Sequence, residues 1–229
     1  MGLDMYLYRT KRIDGATPKE FNMVNNYLTY MEDKKLGKTK KHDSDEEYTP
    51  MEWCGCDLSK VDMELVDKYK SEFFTRYSLW DTEHKYGYSS ISQQVGYWRK
   101  ANQIHNWFVE NVQNGEDDCG EYEVTKRQLK ELLDICEKVK GASHLIEGKV
   151  QNGYTFENGE RKYNYEDGKY IEDSSVAEKL LPTTSGFFFG GTEYDQWYYR
   201  DIIDTIEMLN KVLMETDFEK EVVTYSSSW

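Results

Sequence analysis

The stretch EYEVTKRQLKELLDICEKVKG, residues 121–141, carries two structural periods in succession. Glu121 to Val124 reads as a short strand, and Thr125 then opens a helix. Thr125 with Gln128 three residues on has the spacing of a capping box, in which each side chain takes a backbone N–H of the other residue. Leu129, Leu132, Leu133, Cys136 and Val139 give the helix one apolar stripe. Gly141 is placed to end it.

The same mixture continues on both sides. Leu3, Met5 and Leu7 alternate with Asp4, Tyr6 and Tyr8, so a strand begins almost at Met1. Val222-Val223-Thr224-Tyr225 is rich in β-branched residues and reads as a strand at the other end. Pairing of the two ends in one sheet would tie both down. Thr17-Pro18-Lys19-Glu20 is a helix start, followed by Phe21, Val24 and Leu28. The spacing predicts further helices over 59–77 (Val61, Leu65, Tyr69, Phe73), 94–112 (Trp98, Ala101, His105, Phe108, Val112) and 193–215 (Tyr198, Ile202, Ile206, Leu209, Leu213). Leu180-Leu181-Pro182 closes a short helix. Gly186-Phe187-Phe188-Phe189-Gly190-Gly191 reads as a buried strand or turn.

Helices and short strands alternate without a βαβ rhythm, which makes α+β the expected class. The expectation is one domain over 1–229, with several helices packed on a small mixed or antiparallel sheet. Two segments stand apart. Residues 33–50 run from a lysine block into an acidic block without apolar periodicity and read as a flexible charged loop. Residues 148–173 hold Asn152-Gly153, Asn158-Gly159 and Asp167-Gly168 between tyrosine-rich runs, and read as a β-hairpin insertion.

The chain has 229 residues, 29 Lys and Arg against 43 Asp and Glu, and a formal charge of −14. A field of that sign repels phosphate backbones and anionic lipid surfaces, so general nucleic-acid binding and membrane binding are not expected. No apolar run reaches the ~20 residues of a membrane helix. The start lacks the basic and apolar regions of a signal peptide, and the four cysteines then read as reduced thiols in a cytosol. The sequence leaves homo-oligomers open.

Three places draw chemical interest. Trp98-Arg99-Lys100-Ala101-Asn102 with His105 sets an arginine fork beside an amide and an imidazole, a group suited to phosphate or carboxylate. The plainer alternative is solvated cations and a core histidine. Glu116-Asp117-Asp118-Cys119 clusters carboxylates that could hold Mg²⁺ or Ca²⁺, although no loop of calcium-binding spacing is present, or act as a base, or simply bond the amides of their own turn. Gly190-Gly191-Thr192-Glu193-Tyr194, leading towards Tyr198, joins a close-approach glycine pair to a helix start whose free amides attract anions. Convergence of the three would make a ligand site. Cys54 and Cys56 lack the usual zinc spacing, and neither metal nor cofactor is expected. Cys119 near His105 is the only nucleophile pair on offer, and no known catalytic motif is present.

MGLDMYL at the start, GYWRKANQIHNWFVENVQNGEDDC in the middle, LPTTSGFFFGGTEYDQWYY later and SSSW at the end resemble a group of phage and prophage proteins of no assigned activity. The resemblance spans most of the chain, residues 34–47 and 148–172 apart. It implies a phage origin and action in the cytoplasm of a bacterial host, and carries over no catalytic residue. Accessory phage proteins often counter host defence, which by association favours sequestration of a small anionic, nucleotide-type ligand such as a host immune signal. Aromatic rings would stack its base, Arg99 or Lys100 would meet phosphate, and Asn102, Asp118 or Glu193 would bond ribose or base edges. The alternative is a protein–protein inhibitor that meets a host factor through an acidic, tyrosine-rich surface, with residues 148–172 as contact element. A nucleotide-processing enzyme using His105 and Asp118 is the third reading, and the weight of the sequence lies against an enzyme.

Overall fold

The computed structural model describes residues 2–12, 18–35, 56–72, 74–77, 87–90, 92–157, 160–186 and 189–229. Its strands are β1 (Asp4–Lys11), β2 (Phe74–Tyr77), β3 (Gly87–Ser90), β4 (Ser92–Arg99), β5 (Glu121–Val124), β6 (Leu145–Glu157), β7 (Glu160–Ile171) and β8 (Glu221–Ser228). Its α-helices are α1 (Pro18–Lys35), α2 (Met63–Tyr69), α3 (Asn102–Asn111), α4 (Lys126–Ala142), α5 (Ser175–Leu180) and α6 (Gln196–Glu215). The fold is α+β.

Two compact units form, one from residues 1–9 with 94–229 and one from residues 10–93. In the larger unit the sheet order is β4-β1-β8-β5, so the first and last strands of the chain are its two central strands. The expected pairing of the two ends is therefore present. β5 runs antiparallel to β8, with Glu121 opposite Ser226 and Val124 opposite Val223. Alternation then decides what is buried: Leu3 just before β1, Met5 and Leu7 within it, Trp98 of β4, Val223 and Tyr225 of β8. They meet Ile104 and Phe108 of α3, Leu129, Leu132 and Cys136 of α4, and Ile202 and Leu209 of α6 in one apolar cluster. Burial pushes the Cys136 thiol up to about 12, which keeps it protonated and inert.

The smaller unit has its own core, Val24, Val66 and Tyr69 backed by Met23, Tyr27 and Leu28. Here β2 pairs antiparallel with β3.

Two helix expectations need correction. Over 59–77, residues 63–69 are the α-helical ones among the described residues, and 74–77 form β2. Over 94–112 the helix begins at Asn102, because Ser92–Arg99 is β4. Gly96 and Trp98 point inward while Tyr97 and Arg99 point outward, a period of two that the helix-like spacing Trp98-Ala101-His105 conceals. Gly96 permits close packing, since a Cβ there would lie 3.1 Å from Leu7 Cβ. Lys100 ends the strand at φ 61. Smaller corrections follow. Helix α1 carries on through Asp33 to Lys35, into the expected loop, whose residues 36–50 lie outside the described residues. Gly141 sits inside the last turn of α4, which is capped by Ser143. Residues 189–191 are exposed or half-exposed irregular chain, not a strand; Phe187 and Phe188 lie outside the described residues.

The capping box at Thr125 is present: Gln128 N–H donates to Thr125 Oγ1 at 3.2 Å and Thr125 N–H to Gln128 Oε1 at 2.9 Å. Thr125→Ala is expected to cost about 1 kcal/mol of unfolding free energy, read as a lower urea midpoint with unchanged slope.

The hairpin is one long ribbon. Leu145 pairs with Ile171, and the ladder continues to Glu157 opposite Glu160. Of the three expected turn dipeptides, Asn158-Gly159 lies outside the described residues. Asn152-Gly153 falls at a register shift between Gln151 and Tyr154, with Gly153 at φ 77, so it is a bulge. Asp167-Gly168 pairs with Gly148 and Lys149 within the ladder. The base is tied down. Ile171 is buried and its N–H donates to Tyr194 O at 2.9 Å. Lys169 N–H donates to Gln196 Oε1 at 3.0 Å. Among the described residues, no helix is long and apolar enough to cross a membrane.

Candidate functional site

The segments singled out in the sequence do meet, all within the larger unit. Asn102 is buried and fully engaged. Its Nδ2 donates to the carbonyls of Phe189 (3.1 Å) and Gly191 (2.7 Å), and its Oδ1 accepts Thr184 N–H at 2.9 Å. Gly190, at φ 90, lies against Lys100, where a Cβ would stand 3.3 Å from the Lys100 carbonyl. One amide side chain thus ties Thr184, Phe189 and Gly191 together. Asn102→Ala leaves these groups unpaired and is expected to cost about 2 kcal/mol or more. Amide hydrogen exchange at Thr184 should accelerate accordingly.

His105 sits beneath this loop, 1% exposed, with its ring edge-on to Phe189 at 5.1 Å. Its Nδ1 lies 2.7 Å from the Tyr225 hydroxyl and its Nε2 2.9 Å from Asp117 Oδ2. Asp117 Oδ1 accepts the Trp229 indole N–H at 3.1 Å. One proton arrangement satisfies every group: Tyr225 donates to Nδ1, Nε2–H donates to Asp117, and the indole donates to the other carboxylate oxygen. Tyr225 stacks flat on Phe108 at 3.9 Å, and burial raises its phenol well above the ordinary range. Both ring nitrogens are engaged, so His105 has no lone pair left for Cys119, which is exposed. The arrangement is a locked Tyr–His–Asp–Trp chain that holds β8 to α3 and to the turn after it.

The remaining candidates divide. Trp98 is buried and its indole donates to Thr205 Oγ1 at 2.8 Å, a core role. Arg99 is exposed and its guanidinium lies 3.7 Å from Asp4 Oδ1. Lys100 is exposed. Asp118 bonds its own turn: Gly120 N–H at 2.8 Å and Tyr122 hydroxyl at 2.9 Å hold its carboxyl below the usual range. Asp117 beside it is the carboxylate that meets His105. Thr192 and Glu193 precede the last helix and do not start it. That helix begins at Gln196, capped by Asp195, whose Oδ1 takes the N–H of Trp197 (2.9 Å) and Tyr198 (3.1 Å). The end expected to attract an anion therefore holds the chain's own carboxylate. Tyr194 accepts Thr183 N–H at 3.3 Å, and buried Tyr198 donates to Leu181 O at 2.9 Å.

Asp201, unmarked in the sequence reading, is largely buried with one neutral donor, Gln103 Nε2 at 3.0 Å. Desolvation pushes its carboxyl up to about 7. A folded-state value above the unfolded one near 4 means that the native state holds a proton that the unfolded chain has lost. Asp201 thus favours folding most below about pH 4, and that contribution is lost as pH rises to about 7. Asp201→Asn is expected to stabilise the protein at pH 8 by on the order of 2 kcal/mol, allowing for solvent screening, with the gain vanishing near pH 4. Urea titrations at the two pH values check it.

The hairpin's outer half presents the other candidate surface. Tyr154 lies opposite Tyr163, Phe156 is two residues from Tyr154, and Tyr165 two from Tyr163. Period two places all four rings on one face of the ribbon. Tyr154 touches two of the others, at 5.5 Å from Phe156 and 6.4 Å from Tyr163. Yet they are 45%, 64%, 46% and 62% exposed for Tyr154, Phe156, Tyr163 and Tyr165. Nearer the base the same face carries the ion pairs Lys149–Asp167 at 2.7 Å and Lys169–Glu147 at 3.2 Å. On the opposite face Lys162 pairs with Glu157 at 3.0 Å.

Comparison with protein-family models, with curated proteins and with solved structures finds no match.

Proposed function

We propose that the protein is a binding protein that engages a protein partner through the aromatic face of its hairpin. The observation that carries this reading is the set Tyr154, Phe156, Tyr163 and Tyr165, four large rings on one face of a ribbon whose outer half has no core of its own. Scaling the full area of such rings by their exposure gives a patch of about 400 Å². Exposed apolar surface of that size matches the largest patch of an ordinary monomer, which is often functional. Tyrosine and phenylalanine give large contact area at little rotamer cost. The base is anchored through Ile171 and Lys169, so the ribbon is presented by a fixed support. The partner is a host protein in the bacterial cytoplasm, the setting that the phage resemblance implies.

Sequestration of a nucleotide-type ligand is the second reading. The meeting of Asn102, His105 and the Gly190-Gly191 loop favours it. Against it, Asn102, His105 and Asp118 already bond within the chain, and the last helix is capped by Asp195.

Affinity purification from the host separates the two. The first reading expects a protein that co-purifies with wild type and with Arg99→Ala, and is lost when the four rings are replaced by serine. A small molecule released from denatured wild type, and lost in Arg99→Ala, would overturn it in favour of the second.

A further inference from the structure

The tetrapeptide Val-Gln-Asn-Gly occurs twice, at 112–115 and at 150–153. The local sequence is the same, so a difference in the chemistry of the two Asn-Gly bonds comes from the fold. We infer that Asn152 is a site of spontaneous deamidation in the folded protein, and that Asn114 is shielded from the same reaction. In that reaction the main-chain nitrogen of the glycine attacks Cγ of the asparagine. A new N–Cγ bond closes a cyclic imide, the Cγ–Nδ2 bond breaks, and the amide nitrogen leaves as ammonia with the proton of the glycine N–H. Water then opens the imide at either carbonyl, giving aspartate or isoaspartate.

Both pairs are exposed. Glycine has no Cβ to block the approach, and neither Gly115 nor Gly153 has an atom other than its chain neighbours within 4 Å of where one would stand. They part at the backbone. Asn114-Gly115 follows helix α3 in a fully bonded turn. Gly115 N–H donates to Val109 O at 2.8 Å, Gln113 N–H to Phe108 O at 3.0 Å and Glu116 N–H to Gln113 O at 3.2 Å. The attacking nitrogen is therefore occupied, and freeing it means opening the helix end. Asn152-Gly153 is the bulge of the ribbon. The register passes from Gln151 opposite Tyr165 to Tyr154 opposite Tyr163, so neither residue has one directly opposite. Asn152 Nδ2, the nitrogen that departs, lies 2.6 Å from Glu166 Oε2. Aspartate at 152 would set a second carboxylate against Glu166 where a donor had been. Isoaspartate would add one main-chain carbon at the bulge, between the Gln151–Tyr165 and Tyr154–Tyr163 pairs. The inference is independent of the proposed function.

The test incubates the full chain in mildly alkaline buffer, folded and in urea, and follows both asparagines by peptide mass spectrometry over time. Fragment ions separate Asn152 from Asn158, which shares its tryptic peptide. In the folded protein Asn152 is expected to convert at least about 10-fold faster than Asn114, with isoaspartate among the products, and in urea the two rates should agree within about 2-fold. Asn152→Gln keeps the amide but needs a larger ring, so position 152 should stay unmodified while Asn114 behaves as before. Equal rates in the folded protein, or a faster Asn114, would overturn the inference. So would aspartate alone at 152, since direct hydrolysis and not ring closure would then be the route. A difference between the two sites that persists in urea would overturn it as well, because the flanking sequence and not the fold would then decide.

Discussion

Replacing Tyr154, Phe156, Tyr163 and Tyr165 together with serine weakens partner binding at least about 100-fold and leaves the fold intact. The first half follows from the energetics of interfaces, where a few aromatic anchors carry most of the affinity, at ~2 kcal/mol or more each for the strongest. Loss of four such rings exceeds the ~2.7 kcal/mol of a 100-fold change even if only two are anchors. The second half follows from exposure. None of the four belongs to the buried clusters of either unit, and all are between 45% and 64% exposed. The thermal midpoint is therefore expected to move by no more than a few degrees. Circular dichroism and a binding isotherm on the same preparation check both halves. A variant that loses binding only because it has unfolded would show in the first trace.

His105→Ala has the opposite character. It is expected to remove about 3–5 kcal/mol of stability, a large part of what a domain has. Three losses add. The imidazole leaves a cavity against Phe189 and Tyr225. The Tyr225 hydroxyl, buried, loses its acceptor. The Asp117 carboxylate loses the donor on Oδ2 and keeps only Trp229. Tyr225→Phe removes one link of the chain and should cost about 1–2 kcal/mol. An active-site histidine would behave otherwise, with activity falling while the unfolding midpoint held.

The contrast between these two substitutions also shows what local sequence can reveal. The strand over Leu3, Met5 and Leu7 and the box at Thr125 were legible because one local period or one four-residue motif sets each. The hairpin was legible from its Asn-Gly pairs, although the bulge at Gly153 was not, because a bulge and a turn ask for the same backbone. β4 was missed because Trp98, Ala101, His105 and Phe108 fit a helical stripe, while the residue that ends the strand is a lysine in a conformation usual for glycine. The sequence left open whether Asn102, His105 and Gly190-Gly191 meet. The chemistry of that meeting was not legible, because the partners that occupy it come from afar: Tyr225 lies 120 residues from His105, and Trp229 lies 112 from Asp117. Nothing near His105 announces either. Asp117, and not its neighbour Asp118, is the carboxylate that meets His105, because adjacent carboxylates look alike until the turn directs one inward.

The most direct test of the central claim is photo-cross-linking in the host from a benzoylphenylalanine placed at position 156, with the same probe at Met214, 79% exposed on the last helix, as control. The account predicts one discrete protein adduct from position 156 and none from position 214. The same adduct from both positions, or none from 156 in protein that is folded and abundant, would contradict it.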